Sequence, residues 1–360
     1  MKDRISVRQG GILIVLALLS NKVLLLPSLL FEKTQTDGIF SMLFAFAIEM
    51  LFLPLFLWLK NKYPDKSFFE ILKGLIKSFP AKLVFVLLAL FMAIKALLTF
   101  SIVYVYFKQE IYQEEFLVLI LFCMLPVLTH GVITGLRSIS RTMEFFFSLL
   151  LTGFFICLSL SLFTPISFPN FFVASAKDIF SSAFKYFIVF DDFIILFIIM
   201  DKIDISKGKS RSLYFYALLG VFMVLLLFFL FYSKYPVTAF MHDNALSDLL
   251  VFSVQFSAIG RLDIVAMLTI MLKTLFQMEI YSFGFCKCFE EVFPLLNRKH
   301  AIALFDLSFV LIFSLFIGNH ADIVEFAGGW FSVVAIVVAV VVGILSICAC
   351  LTGRKDEKKD

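Results

Sequence analysis

Charge is what this sequence has least of. Asp, Glu, Lys and Arg make up 16% of its 360 residues, against 61% apolar residues and a mean hydropathy of +1.01. That deficit excludes a soluble core with a charged surface, and equally a disordered chain. Cysteine is also scarce. Cys123, Cys157, Cys286, Cys288, Cys348 and Cys350 lie in or beside apolar runs. Their two Cys-x-Cys pairs lack a second pair or histidines at zinc spacing, so they read as reduced packing residues, with acylation near Cys348 and Cys350 the alternative. His130, His242, His300 and His320 are scattered near run ends and loops. No Gly-x-Ser-x-Gly, His-Glu-x-x-His or phosphate-cradling loop occurs. The chain is expected to be no enzyme and to carry no metal or cofactor.

What is there is hydrocarbon in long runs. The expected fold is an all-α integral membrane protein, with apolar segments at 9–31, 38–59, 83–107, 115–134, 143–163, 179–200, 212–233, 263–286, 301–318 and 326–351. Residues 1–360 then form one polytopic domain, ending in a charged tail at 352–360. The basic start, with Lys2, Arg4 and Arg8, is like a signal peptide, but the run behind it is too long and lacks a small-x-small cleavage site. It reads as an uncleaved first span. The 49 phenylalanines are taken as compositional, as an AT-rich coding sequence would give.

Lys and Arg set the orientation. With the N-terminus cytoplasmic, 22 of the 31 fall in inner segments and five in outer loops, so both termini are expected inside. The net charge of +4 follows this topology and does not point to a nucleic-acid partner. Residues 64–80 place apolar residues at helical spacing opposite lysines, with Ser67 and Glu70 as a capping box. They are expected to lie on the inner leaflet as a short amphipathic helix. Residues 234–262 are expected to form short helices covering the outer mouth.

Eight ionisable residues fall inside the spans: Lys22, Glu49, Lys95, Lys185, Asp191, Asp192, Lys273 and Glu279. Lys22 is 14 residues past Arg8, roughly 21 Å along a helix and near mid-bilayer. An isolated charge there costs about 3 kcal/mol or more, so these groups should face inward and find partners. The first span is interrupted by Ser20, Asn21, Lys22 and Pro27, and the sixth by Phe190, Asp191 and Asp192. If the ten spans are two inverted repeats of five, at about 5–163 and 179–351, these spans are equivalent. So are the third and eighth, with Lys95 and Lys273. Paired interruptions of that kind point to a midplane binding site. The candidate ligand-binding residues are therefore Ser20, Asn21, Lys22, Lys95, Phe190, Asp191, Asp192 and Lys273. An ion-pair network that only fixes packing is the competing reading. Glu49 reads as a structural partner, and Lys185 as solvent-facing.

Five stretches together resemble a known family. These are Ile5-Ser6-Val7-Arg8-Gln9 with the run to Leu26-Pro27, Tyr63-Pro64 with Phe68-Phe69-Glu70-Ile71-Leu72, and Gly135-Leu136 with Ile139, Arg141 and Glu144. Phe190-Asp191-Asp192 and Arg261-Leu262-Asp263 complete the set. The chain resembles the B-type membrane subunit of bacterial spore germinant receptors (GerAB type), in the amino acid–polyamine–organocation (APC) transporter superfamily. The resemblance implies a 5+5 inverted repeat with broken first and sixth helices. It also implies a small nutrient ligand, an amino acid among the options, and a place in the spore inner membrane. The implied partners are an A-type membrane subunit and a C-type lipoprotein.

One departure matters. Where the family has a glycine-rich break, this chain has Ser20, Asn21 and Lys22. Lys22 then either meets a ligand carboxylate, or takes a ligand cation's place and pairs with Asp191 or Asp192. An amino-acid or ion symporter, and a scaffold subunit with a degenerate site, are the alternative functions.

Overall fold

The computed structural model describes residues 4–19, 21–111, 114–162, 166–205, 210–242, 244–251, 263–316 and 328–352. Among them nearly all regular structure is helix. Six helical stretches are long and apolar enough to cross a membrane: Leu26–Lys62, Ser78–Phe107, Leu136–Ser161, Ser210–Lys234, Ile264–Val292 and Trp330–Thr352. Each of the ten apolar segments contains helix among its described residues.

The first segment is not one helix. α1 (Val7–Leu18) stops at Leu19, a 3-10 turn covers Asn21–Val23, and α2 (Leu26–Thr34) restarts with Pro27 in its first turn. Proline lacks an amide donor, and a helix start is where that loss costs least. α1 itself begins with a capping box: Ser6 Oγ accepts from Gln9 N at 3.3 Å, and Gln9 Oε1 accepts from Ser6 N at 3.0 Å. α3 (Gly38–Met50) and α4 (Phe52–Lys62) make up the second segment.

α5 (Phe68–Ile76) carries the capping box read from the sequence, with Ser67 Oγ accepting from Glu70 N at 3.2 Å and Glu70 Oε2 from Ser67 N at 2.9 Å. Its setting differs from the expectation. Phe68, Phe69, Ile71 and Leu72 are buried against protein, with Phe68 and Phe69 meeting Phe85 and Phe68 also meeting Phe197. The apolar face is covered by neighbouring helices, and only the lysine side of the helix is open.

α6 (Ser78–Ile111), α7 (Glu114–Thr134) and α8 (Leu136–Ser161) follow. Gly135 joins the last two with φ 95°, a conformation that favours glycine. The sixth segment is broken like the first. α9 (Ala176–Lys185) leads into a 3-10 turn at Phe187–Val189, the chain unwinds over Phe190–Phe193, and α10 (Ile194–Ile198) is barely more than a turn. α11 (Ser210–Lys234), α12 (Ala245–Val251), α13 (Asp263–Val292), α14 (Arg298–Phe316) and α15 (Trp330–Thr352) complete the helices.

α6 and α13 share the broadest helix contact, and α1 packs along α11. A two-residue parallel sheet joins β1 (Ile5–Ser6) to β2 (Ile203–Asp204), tying the start of the first segment to the end of the sixth. At the opposite end, α12 reaches the first break through Ala245 N, which donates to Leu24 O at 3.2 Å. The part of 234–262 that is described thus does fold over a broken span; residues 252–262, with Arg261 and Leu262, lie outside the described residues.

Candidate functional site

The two breaks face each other, and the buried charges meet between them. A chain that leaves helix inside an apolar interior must pair its freed groups with protein. Asp192, in the second break, is the hub. Its Oδ2 accepts from Lys22 Nζ across the first break, and its Oδ1 accepts from Lys95 Nζ at 2.7 Å and from Tyr281 Oη at 2.8 Å. Its backbone N donates to Glu49 Oε1 at 2.8 Å, while Glu49 Oε2 lies 3.7 Å from Lys22 Nζ. Lys95 Nζ also donates to the freed carbonyl of Phe190. Four segments therefore meet at one residue: the first break, α6 and α13 through the Asp192 carboxylate, and α3 through its backbone N–H.

Aromatic rings wall the two cations. Lys22 Nζ lies 5.5 Å from the Phe46 ring centroid and 5.2 Å from that of Phe190, and those rings meet edge to face at 5.6 Å. Lys95 Nζ lies 5.6 Å from Phe91 and 5.7 Å from Tyr281. Lys22 and Glu49 are 0% exposed, stems included. At that depth the alternative to pairing is a bare charge in hydrocarbon.

Asp191 differs from its neighbour. It takes φ 58°, a strained backbone for an L side chain, and is 1% exposed. Neither of its carboxylate oxygens has a hydrogen-bond partner among the described residues. The geometry thus selects Asp192 over Asp191 as the partner of Lys22.

Of the other candidates, Asn21 is buried and its Nδ2 donates to Thr99 Oγ1 at 3.2 Å; Thr99 in turn donates to Lys95 O at 2.8 Å. Phe190 contributes both its carbonyl and its ring. Lys273 is buried on α13, eight residues before Tyr281. Ser20 lies outside the described residues. Lys185 is exposed beside Tyr186, as its position near a span end suggests.

Glu49, legible in the sequence as a deep charge and read there as a structural partner, stands against both Lys22 and Asp192. Three further site residues carry no signal in the sequence that selects them. Tyr281, Gln277 and Thr99 are neutral, and nothing in a helical run of this composition distinguishes them. Gln277 Nε2 donates to Tyr281 Oη at 2.9 Å, holding the phenol toward Asp192. An apolar cleft of about 300 Å³ among Leu90, Leu97, Phe285, Phe305 and Phe331 includes none of the cluster, and its lining suits hydrocarbon rather than a polar ligand.

Two of the resembling stretches also meet. Arg8 Nε lies 3.1 Å from Glu144 Oε1, and Gln9 Nε2 donates to Glu144 Oε2 at 3.0 Å. Nearby, Arg4 pairs with Asp65 at 2.8 Å, and Lys287 with Asp201 at 3.3 Å and Glu291 at 2.9 Å. Together with the β1–β2 pairing, they tie the start of the first segment and the end of the sixth to their neighbours.

Apolar helices, two broken segments and an inward-facing charge network define an all-α polytopic membrane protein of transporter-like design. A family model described as "Spore germination protein", the spore permease family, matches residues 4–323, and the chain belongs to that family. No curated protein matches it.

Proposed function

We propose that this chain is the ligand-sensing membrane subunit of a spore germinant receptor. Membership of the spore germination family supports the setting. The observation that carries the sensing role is the meeting of both broken segments on Asp192. Ten spans in a 5+5 inverted repeat, with both termini cytoplasmic, are the arrangement this reading takes, supported by the ten apolar runs of the sequence, the paired breaks, and the lysine and arginine distribution. An A-type membrane subunit and a C-type lipoprotein in the spore inner membrane are the partners this reading requires.

A ligand can act here only by changing which state of the network is favoured. Asp192 holds two cations, so drawing Lys22 away still leaves it Lys95 and Tyr281. The first break would then separate from the second while the remainder stays paired. A rocking motion between the two halves is the movement that such a change would release, and the partner subunit would pass it on.

The second reading is a scaffold subunit without a ligand, and the self-satisfied Lys22–Asp192 pair is what favours it. Spores lacking this chain, complemented with wild type, Lys22→Ala or Asp192→Asn, separate the two. They are challenged with amino acids, nucleosides, sugars and bile-type steroids. A sensing subunit loses or shifts its dose–response in the variants at normal membrane abundance. A scaffold keeps its response as long as the chain is present. Saturable uptake of a labelled amino acid by proteoliposomes holding this chain alone would instead favour the symporter.

A further inference from the structure

The surroundings of Lys22 form a complete ammonium receptor. Two carboxylates face its nitrogen, Asp192 directly and Glu49 at 3.7 Å. Two ring faces complete the enclosure, Phe190 at 5.2 Å and Phe46 at 5.5 Å. Carboxylates combined with ring faces are how proteins recognise cations of this size, since the ring quadrupole attracts a cation and repels an anion. All four groups are buried and come from two elements other than the one bearing the lysine: α3 and the unwound Phe190–Phe193. The receptor therefore belongs to the surrounding fold, and Lys22 enters it from the opposite break.

We propose that Phe46, Glu49, Phe190 and Asp192 constitute a primary-ammonium site that the chain fills with its own Lys22 side chain, so that free amines are excluded from it. The proposal deepens the sensing reading by setting the ligand class, and rests on that reading only for the site's role. A ligand acting at the cluster must then approach as an anion or a neutral molecule, because the place for a positive nitrogen is taken. Lys95 does not provide a second such place: it already holds Asp192 Oδ1 at 2.7 Å and the Phe190 carbonyl.

The test is chemical rescue, done on full-length protein in nanodiscs without spores, so its failure and that of the germination reading are separable. Replacing Lys22 by Gly removes four carbons and the nitrogen, the size of n-butylammonium; replacing it by Ala removes the size of n-propylammonium. Thermal unfolding of wild type, Lys22→Gly and Lys22→Ala is followed against ethyl-, n-propyl- and n-butylammonium, with sodium chloride and n-butanol as controls. The expected result is saturable stabilisation of each variant, roughly 2 °C at ten times its apparent dissociation constant. The best amine is n-butyl for the glycine variant and n-propyl for the alanine variant. Wild type shows no shift beyond the salt control.

A variant recovered from membranes only when grown with its matching amine supports the proposal as well. Folded variants that respond to no amine, or equally to all of them and to n-butanol, overturn it. Saturable stabilisation of wild type by any of these amines overturns it too. This last arm decides the matter if neither variant is recovered under any condition, a flat response then standing in favour.

Discussion

Asp192 accepts from three donors, while Asp191 beside it accepts from none among the described residues. That asymmetry orders the expected effects of substitution. Asp192→Asn takes the shared carboxylate from two ammonium groups at once, leaving Lys22 with Glu49 and Lys95 with the Phe190 carbonyl, and breaking a buried pair from one side costs about 3–5 kcal/mol. Lys22→Ala leaves Asp192 with Lys95 and Tyr281 and should cost less. Thermal unfolding of the two variants in the same detergent measures this order, and a double-mutant cycle should show Lys22 and Asp192 coupled; equal losses or no coupling would count against the geometry. The sequence made the charges legible because ionised groups in hydrocarbon must be explained. It left two partners open for Lys22, since adjacent aspartates in an unwound segment differ only in where the backbone turns each side chain. Tyr281, Gln277 and Thr99 were invisible for the complementary reason: neutral polar groups are cheap enough to occur without a role.

Among the elements, the two breaks depend on the contacts that anchor the segments around them. Asp37, between α2 and α3, accepts backbone N–H groups from Phe172, Val173 and Ala174 at 2.7, 2.6 and 2.6 Å. This one carboxylate holds the approach to α9, because hydrogen bonds to a charged acceptor are worth about 1.5–3 kcal/mol each. Asp37→Ala is therefore expected to raise amide exchange at Phe172, Val173 and Ala174 by on the order of tenfold or more, with little change along α6 and α13. Gly220 on α11 packs close against α1: a Cβ there would lie 2.8 Å from Leu18 Cδ1, 3.1 Å from Leu18 Cβ and 3.5 Å from Val15 Cα. Gly220→Ala should cost about 1–3 kcal/mol by overpacking, read as a lower unfolding midpoint. α5 shows where pattern reading stops. Its apolar stripe was legible, but a stripe says only that something apolar covers it, and here the cover is α6, α10 and α15 rather than lipid.

For the whole molecule, long apolar runs made the class legible, since few structures besides helices satisfy a backbone in hydrocarbon. Helix ends were less so. α13 runs to Val292, beyond the apolar segment ending at 286, because Lys287, Glu290 and Glu291 find partners there that let the helix continue. On the proposed ten-span reading both termini lie on the inner side. In sealed right-side-out vesicles a tag following residue 360 should resist protease and become sensitive on permeabilisation; sensitivity beforehand would reverse the assigned hand.

On the proposed function, the network joining the two breaks governs germination. The most direct measurement of this is the nutrient dose–response of spores carrying Asp192→Asn in place of wild type, with membrane abundance quantified in the same spores. A response lost or shifted by tenfold or more at unchanged abundance, equivalent to about 1.4 kcal/mol in the switching equilibrium, is the predicted result. An unchanged dose–response at normal abundance would contradict it.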